Sequence, residues 1–235
     1  MNLKDLDIVY MVKDAIYNDE LKYSLRSVDA NFPHHKVWFI GGRPMYVHPD
    51  EQIIVNQKGK TKWDKVRAML KLVGENDKLT EDFVLFNDDF FVMRPTPVMP
   101  TFVYGTLEQL CKRIERKNVG KPTPYTLKLE ETIKTLERDG LPTHNFELHV
   151  PMVLNRKKLL QIIERYPDTK GTRSLYGNTY LTDHMYYMKD VKIFDTKTEP
   201  SPNNVFLSTE DLSFSEGKVG EYIKKMFHDK SRWEK

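Results

Sequence analysis

The stretch Leu85-Phe86-Asn87-Asp88-Asp89-Phe90-Phe91 places two adjacent carboxylates and a carboxamide inside an apolar run from Phe83 to Met93. An apolar run of this kind is typical of a buried strand, where an unpaired carboxylate loses its hydration without compensation. Carboxylates in such a position need a cation, which can be a divalent metal or a nearby lysine or arginine. The stretch therefore predicts a buried strand that ends by presenting acids to a site, and it favours an enzyme.

The sequence before this stretch predicts an α/β fold. Apolar runs at 7–12, 36–40 and 52–55 indicate strands, and helical periodicity at 20–28 and 62–73 indicates two helices, the first with Asn18 as its N-cap. This order favours a mostly parallel central sheet flanked by helices. Ligands collect at the carboxyl ends of the strands in such sheets, and Asn87, Asp88 and Asp89 stand at such an end.

The sequence after the stretch predicts further elements of the same domain, which we take to span residues 1–235. Two helices at 107–116 and 127–138 indicate a helical insertion at about 101–145. A strand-like pattern at 146–154 places His149 in mid-strand, and a helix follows at 156–166. The segment 168–182, with Arg173, is predicted to be rich in loops, and a strand at 191–194 and a helix at 219–227 complete the fold.

Composition and charge restrict the class of protein. The chain has 235 residues, 39% of them apolar and 30% charged, with no run near the roughly 20 apolar residues of a membrane span. The N-terminus lacks the apolar core of a secretory signal, and the single cysteine, Cys111, excludes an internal disulfide framework, so a cytoplasmic location is expected. Basic residues cluster at 56–71, together with Trp63, and at 112–128. Such clusters favour phosphate-bearing ligands or polyanions, although the second also fits a solvated helix face.

Other common sites are disfavoured by what the sequence lacks. It has no glycine-rich phosphate loop, no cysteine cluster and no nucleophile elbow, which argues against nicotinamide oxidoreductases, P-loop kinases, structural zinc sites and Ser-His-Asp hydrolases. Hard oxygen donors at a strand end suit Mg²⁺ or Mn²⁺ shared with a substrate diphosphate, whereas the plainer interpretation is a capped turn. His149 could bind metal or transfer protons, or be structural, and Arg173 could clamp phosphate or be solvated.

Several motifs together carry a resemblance to a known family. They are Asp7-Ile8-Val9-Tyr10, the helix from Glu20 to Val28, Phe86-Asn87-Asp88-Asp89-Phe90-Phe91, His149-Val150-Pro151 with Leu154-Asn155-Arg156, and Arg173. On these motifs the chain resembles the Stealth family of sugar-phosphate transferases and related compact phage glycosyltransferase-like proteins. The resemblance implies a nucleotide-diphospho-sugar transferase fold of the GT-A type. It also implies a divalent metal, Mn²⁺ or Mg²⁺, at the two acids.

The prediction is a metal-dependent glycosyltransferase with a nucleotide-diphospho-sugar donor and a glycan acceptor. Its predicted catalytic residues are Asp88, Asp89, His149 and Arg173, of which Asp88 and Asp89 are also the metal ligands. Its predicted nucleotide-sugar-binding residues are Tyr10, Asp14, Arg26, Lys60, Trp63 and Asn87. The base that activates the acceptor hydroxyl is left open among Glu147, Asp183 and His149.

Three alternatives to this function stay open. The first is transfer of sugar 1-phosphate, as in capsular polysaccharide phosphotransferases. The second is glycosylation of modified DNA bases by a phage enzyme, and the third is a glycan- or nucleic-acid-binding module without activity. The resemblance itself implies the first alternative. The first strand departs from the family, because it continues as Met11-Val12-Lys13-Asp14-Ala15 where the family usually has a Trp-Val-Asp-Gly-like turn, and this departure leaves transfer of a sugar open.

Overall fold

The computed structural model describes residues 2–57 and 61–235 and has a mixed α/β architecture. The strands are β1 (Asp7–Val12), β2 (Val37–Gly41), β3 (Glu51–Ile54), β4 (Asp82–Asn87), β5 (Phe90–Val92), β6 (Thr101–Val103), β7 (Met152–Asn155), β8 (Met185–Tyr187), β9 (Lys192–Ile193) and β10 (Phe206–Thr209). The helices are α1 (Asp19–Asn31), α2 (Lys62–Glu75), α3 (Leu107–Lys117), α4 (Pro124–Arg138), α5 (Arg156–Arg165), α6 (Thr172–Tyr180), α7 (Asp211–Glu216) and α8 (Lys218–Met226).

The central sheet has five strands in the order β3-β2-β1-β4-β7. The first four strands run parallel, and β7 runs antiparallel to β4. This arrangement confirms the mostly parallel sheet flanked by helices that the sequence predicts. Met11 pairs with Asn87 and Val12 pairs with Gly41, so β1, β2 and β4 end at the same edge of the sheet.

Alternation along β1 fills both faces of this sheet. All six residues of β1 are buried. Val9 and Met11 belong to a core cluster with apolar residues of α2 and α5, whereas Ile8 and Tyr10 pack in a second cluster with apolar residues of α1. Side chains of successive strand residues point to opposite faces, so a continuous apolar strand requires cover on both. The helices on the two faces hold the carboxyl edge in place.

The run from Phe83 to Met93 is not one strand, as the sequence suggested, but two strands in different sheets. It breaks at a turn formed by Asp88 and Asp89, where β4 ends and β5 begins. The strand β5 pairs antiparallel with β10, which pairs parallel with β9 in a three-stranded sheet. The two acids therefore lie at the junction between the central sheet and this smaller sheet.

Three further predictions differ from the structure. The strand predicted at 146–154 begins only at Met152, so His149 lies in an irregular segment. The strand β10 and the helix α7 have no counterpart among the predicted elements. The helix α6 replaces a predicted loop although its sequence is a poor helix former, because it packs closely: a Cβ on Gly177 would lie 2.4 Å from the Phe146 ring.

The predicted helical insertion contains α3 and α4, together with the short strand β6. Leu107 and Leu129, from these two helices, belong to the same core cluster as Val9 of β1. The insertion thus shares the core of the central sheet. Among the helices in the described part of the chain, none has the length and apolarity needed to span a membrane.

Candidate functional site

A cleft of about 920 Å³ runs along the carboxyl edge of the central sheet. It is lined by the loop after β1, the start of α1, the first turns of α2, the acid turn, and residues from β9, β10, α7 and α8. Its charged lining residues are Asp19, Glu20, Asp88, Asp89, Glu210, Asp211, Lys13, Lys62, Lys65, Lys192 and Lys224. A cleft with buried acids and several lysines is suited to an anionic ligand that brings or shares a cation.

Two glycines at the end of β2 allow its backbone to lie close to the end of β1 at this edge. Gly41 has a φ of +123°, and a Cβ at this position would lie 2.3 Å from the carbonyl oxygen of Val12. A Cβ on Gly42 would lie 2.2 Å from the carbonyl oxygen of Lys13. Only residues without a side chain let β2 end this close to the end of β1. The Gly41-Gly42 pair thus sets the path of the loop that lines the cleft.

Asp88 is tied to the start of α1. Its carboxylate accepts a hydrogen bond from the Asn18 side-chain amide at 2.6 Å, and the Asn18 Oδ1 accepts one from the Leu21 backbone N–H at 2.9 Å. The second bond confirms Asn18 as the N-cap. Burial, followed by the charge of Asp89, raises the pKa of Asp88 to about 6, although the Asn18 bond favours the ionised form. Negative charge at this carboxyl is therefore only partly compensated.

Asp89 is held by two residues that are distant in sequence. Its Oδ2 accepts a hydrogen bond from Lys192 Nζ at 2.9 Å and one from Ser208 Oγ at 2.8 Å. Lys192 and Ser208 pair across β9 and β10, so they approach the carboxylate together. Lys192 thus supplies the neighbouring cation that the sequence of the acid turn predicts in general terms. No local pattern distinguishes this lysine from the others.

Glu20, which the sequence analysis names only as the start of a helical motif, faces the same cleft. Its carboxyl accepts a hydrogen bond from Thr209 Oγ1. Burial, assisted by the charges of Asp89, Asp88 and Asp211, raises the pKa of Glu20 to about 7. Glu20 is not predicted from the sequence as a site residue, although its place in the first turn of α1, two residues after the N-cap Asn18, is a signal that could have identified it.

His149 forms a hydrogen-bonded pair with Asp190 at the cleft. Its Nδ1 lies 2.8 Å from Asp190 Oδ2, and its backbone N–H donates to Asp190 Oδ1 at 3.0 Å. An ionised carboxylate only accepts hydrogen bonds, so the Nδ1 carries the proton and Nε2 is left as the acceptor. Burial raises the pKa of Asp190, but the bonds and charge from His149 outweigh it and hold that pKa below its usual range. The pair has the arrangement of an oriented general base.

Arg173 lies behind the segment that carries His149. It is in the first turn of α6, not in a loop, and donates hydrogen bonds to the carbonyl oxygens of Val150 at 2.8 Å and Phe146 at 3.3 Å. The predicted phosphate clamp does not fit this placement, because the guanidinium is committed to backbone carbonyls and Arg173 is not among the residues that line the cleft.

Neither alternative candidate for the base has a suitable environment. Glu147 is buried, pairs with Lys128 at 2.8 Å and accepts a hydrogen bond from Ser174 Oγ at 2.9 Å. Asp183 is exposed and is not among the residues that line the cleft. Of the three acceptor-activating residues that the sequence left open, His149 is the one that the structure places in the cleft.

The predicted nucleotide-sugar-binding residues differ in whether they line the cleft. Asn87 lines the cleft, and Asp14 is exposed in the adjoining loop without being one of its lining residues. Tyr10 does not fit a binding role, because its side chain is fully buried and its hydroxyl lies 2.8 Å from Ser24 Oγ. Lys60 lies outside the described residues.

Arg26 and Trp63 are also placed away from the cleft lining. Arg26 of α1 is buried and forms a bidentate pair with Glu234 of the C-terminal segment, with both N–O distances at 2.7 Å. Trp63 stacks on Tyr125 of α4 at 6.1 Å between ring centroids. Both residues thus have structural partners in place of the predicted ligand contact. The cleft brings together Asn87, Asp88, Asp89 and His149, but not Tyr10, Arg26, Trp63 or Arg173.

The fit of the acids to a divalent metal depends on how many ligands the protein must supply. Within the ranges 2–57 and 61–235, no group of three or more His, Cys, Asp or Glu residues is placed to hold a metal. Mg²⁺ and Mn²⁺ commonly need only one or two carboxylates when substrate phosphates and water complete their shell. The hard oxygens of Asp88 and Asp89, with the only partly compensated charge at Asp88, fit that kind of site.

Comparisons with known proteins give similarity of overall structure only. No family model matches the sequence, and neither does any curated protein. The glycosyltransferase GlyE of Streptococcus pneumoniae TIGR4 is similar with a TM-score of 0.46 and 9% identity, over 94% of this chain and 60% of GlyE. The galactosyltransferase LgtC, solved with donor and acceptor sugar analogs, is similar with a TM-score of 0.47 and 13% identity, over 95% of both chains. This chain thus spans less than two thirds of GlyE. Identity and TM-score are low in both cases, so neither likeness shows a function for this chain.

Proposed function

We propose that this chain is a glycosyltransferase that binds a nucleotide-diphospho-sugar along the cleft. The observation that carries the proposal is the convergence of Asp88, Asp89 and the His149–Asp190 pair at the carboxyl edge of a mostly parallel sheet. This edge is where α/β proteins bind their ligands, and these three groups come from distant parts of the chain. The sequence resemblance to sugar and sugar-phosphate transferases supports the same reaction class.

The donor would lie with its diphosphate between the acid turn and the lysines. Lys62 and Lys65 of α2 and Lys192 of β9 all line the cleft and provide positive charge for phosphate oxygens. Asn87 offers a carboxamide beside the acids for a sugar or ribose hydroxyl. These groups would suit both the anionic and the hydroxyl-rich parts of a nucleotide sugar.

Asp88 and Asp89 would hold the divalent metal, Mn²⁺ or Mg²⁺. Such an ion neutralises negative charge that develops on a departing diphosphate. The contribution of the protein is to keep two carboxylates at one turn in a partly buried position, where their interaction with a cation is stronger than in water.

His149 is the proposed general base. In glycosyl transfer, the acceptor hydroxyl oxygen attacks the anomeric carbon, the bond from that carbon to the phosphate oxygen breaks, and the nucleoside diphosphate departs. The hydroxyl proton passes to His149 Nε2, and the Asp190 carboxylate stabilises the resulting imidazolium through Nδ1.

Transfer of sugar 1-phosphate is the second candidate, favoured by the motifs that resemble the Stealth family. There the acceptor oxygen attacks the phosphorus that carries the sugar, and a nucleoside monophosphate departs. The same acids, lysines and base serve either reaction. Identification of the released nucleotide, diphosphate or monophosphate, distinguishes the two.

The other two alternatives receive less support from the cleft. The basic residues that suggested a DNA acceptor are partly committed elsewhere, since Lys62 and Lys65 line the cleft and Lys128 pairs with Glu147. A binding module without activity has no need of an oriented His149–Asp190 pair. Binding of a nucleotide sugar without any release of nucleotide would favour this last alternative.

A thermal-shift screen tests the proposed function. Nucleotide-diphospho-sugars carrying different bases and sugars are added with Mn²⁺ or with a chelator. A donor present at 100 times its dissociation constant stabilises the folded state by about 2.7 kcal/mol, which raises the Tm of a chain of this size by about 5–10 °C. We expect such a shift with at least one donor in Mn²⁺ and a much smaller shift in the chelator.

Matched variants connect the shift to the acid turn. Asp88→Asn combined with Asp89→Asn is expected to abolish the Mn²⁺-dependent shift and nucleotide release. Asp183→Asn, which changes an exposed acid outside the cleft lining, is expected to leave both unchanged. Full turnover by the double variant would show that the proposed use of the acids is wrong.

A further inference from the structure

Lys192 has an arrangement that the proposed function does not yet use fully. Its ammonium and the Ser208 hydroxyl both engage a single oxygen of Asp89, the Oδ2. The side chains of Lys192 and Asp89 are only 15% and 13% exposed, and both line the cleft. The ion pair is thus mostly shielded from water, and a ligand in the cleft can still contact it.

A metal ion and this ammonium compete for the same carboxylate. A divalent ion that binds Asp89 brings two positive charges next to Lys192, so the ammonium is repelled unless another anion receives it. Of the groups described around Asp89, Asp88 lies beside the same metal position, Ser208 is neutral, and the Glu20 carboxyl is already bonded to Thr209 Oγ1. A diphosphate bound to that metal offers oxygens on the cleft side, where Lys192 already lies.

We infer that Lys192 is an exchangeable counter-ion that neutralises Asp89 in the ligand-free cleft and turns to the diphosphate of the donor when metal and donor bind together. This inference rests on the proposed function, because it requires a metal and a diphosphate in this cleft. It assigns to Lys192 a phosphate-binding role. It further makes the binding of metal and of nucleoside diphosphate strongly cooperative.

Two opposite effects of one substitution follow from this exchange. Lys192→Met removes the competitor for Asp89, so Mn²⁺ alone should bind about tenfold more tightly than to the wild-type chain. The same substitution removes a phosphate partner, so a nucleoside diphosphate in saturating Mn²⁺ should bind about tenfold more weakly. Lys192→Arg keeps the charge and should lie close to the wild type in both measurements.

Isothermal titration of the 235-residue chain measures both quantities. Mn²⁺ is titrated alone, and UDP and GDP are each titrated in saturating Mn²⁺, for the wild type, Lys192→Met, Lys192→Arg and Lys65→Met. Lys65→Met is the matched control for the Mn²⁺ titration alone, because it removes the same charge from another wall of the cleft and leaves the Asp89 pair intact; its own proposed place at the diphosphate makes it no control for the nucleotide titrations. It should change the Mn²⁺ affinity less than about threefold.

The outcomes separate this inference from the proposed function. Tighter Mn²⁺ binding together with weaker nucleotide binding in Lys192→Met supports the exchange. Unchanged affinities, or weakening of both with a lowered Tm, would make Lys192 a structural partner only and overturn it. If the wild type shows Mn²⁺-dependent binding neither in these titrations nor in the screen of donors with different bases, the proposed function itself fails, whatever Lys192 does.

Discussion

At the scale of single residues, protonation of Glu20 in the cleft makes the stability of the folded chain depend on pH. Its pKa is raised to about 7, chiefly by burial, so the folded chain holds a proton there that an unfolded chain releases near the ordinary value of 4.5. The folded state therefore binds more protons between these two values, and its stability falls as pH rises through them. Above about pH 7 the buried charge is a cost that the folded chain bears.

Glu20→Gln should remove this cost while keeping an acceptor for Thr209. In metal-free protein at pH 8, we expect the free energy of unfolding to rise by about 1–3 kcal/mol, since one unit of pKa corresponds to about 1.4 kcal/mol. At pH 5 the gain should be small, because wild-type Glu20 is then protonated in the folded chain. Urea unfolding at both pH values measures it, and the exposed Glu164→Gln should change stability by less than about 0.5 kcal/mol. A gain of equal size at both pH values would contradict this account.

Asp190, which no sequence pattern singled out, should control the activity of His149. In Asp190→Asn an amide can present an N–H to Nδ1, which favours the tautomer whose Nε2 is protonated and cannot accept a proton. We expect turnover to fall about 100-fold or more, with the KM for the donor changed less than about threefold. Steady-state kinetics across pH provides the measurement.

The chain offers a control pair for this experiment. His35 and Asp7 form a similar contact, with 2.8 Å from Nδ1 to Oδ1, at the opposite end of β1 from the cleft. His35→Gln should leave turnover unchanged. Similar losses in His35→Gln and Asp190→Asn would mean that the effect is one of stability and not of base orientation.

At the scale of elements, the segment 146–151 depends on α6 for its shape. Arg173 donates to two of its carbonyl oxygens, and Arg173→Met leaves both without that donor. We expect the free energy of unfolding to fall by about 2–4 kcal/mol and turnover to decrease through displaced His149. Because Arg173 does not face the cleft, titration of UDP or GDP in Mn²⁺ should show affinity within about threefold of wild type. A large loss of nucleotide affinity in a folded variant would restore the phosphate-clamp role.

Elements with a clear local pattern could be predicted from the sequence. The helix α1 follows from its periodicity and the Asn18 cap, and β1, β2 and α2 follow from apolar runs and spacing. Elements fixed by distant partners could not. The strand β10 forms because β5 and β9 lie on either side of it. The helix α6 forms because Gly177 packs against the Phe146 ring and its N-cap, Gly171, packs against Thr132.

The same distinction applies to the candidate site. Asp88 and Asp89 stand out because charged residues in an apolar run are unusual. Lys192, Ser208 and Asp190 do not stand out, because each is an ordinary polar residue whose role depends on a contact 41 to 119 positions away. Arg26 and Tyr10 were assigned to the pocket by resemblance, whereas burial and their partners Glu234 and Ser24 give them structural roles.

At the scale of the whole molecule, the cleft is shared by the two halves of the chain. The acid turn, the loop after β1 and α2 come from the first half, and His149, Lys192 and α7 come from the second. Activity is therefore expected only when β5, from the first half of the chain, is paired with β10 of the second half in the small sheet. Local stability of that sheet bears directly on the proposed reaction.

The pairing of β5 with β10 also has a consequence for biosynthesis. Residues 90–92 must wait for residues 206–208 before their strand gains its partner, and contacts of such long sequence separation form slowly. During translation the acid turn therefore leaves the ribosome well before Lys192 and Ser208, and Asp89 has neither partner for that interval. We therefore expect the edge of β5 to stay unpaired until residues 206–208 have been made, and an unpaired strand edge is open to association with other chains.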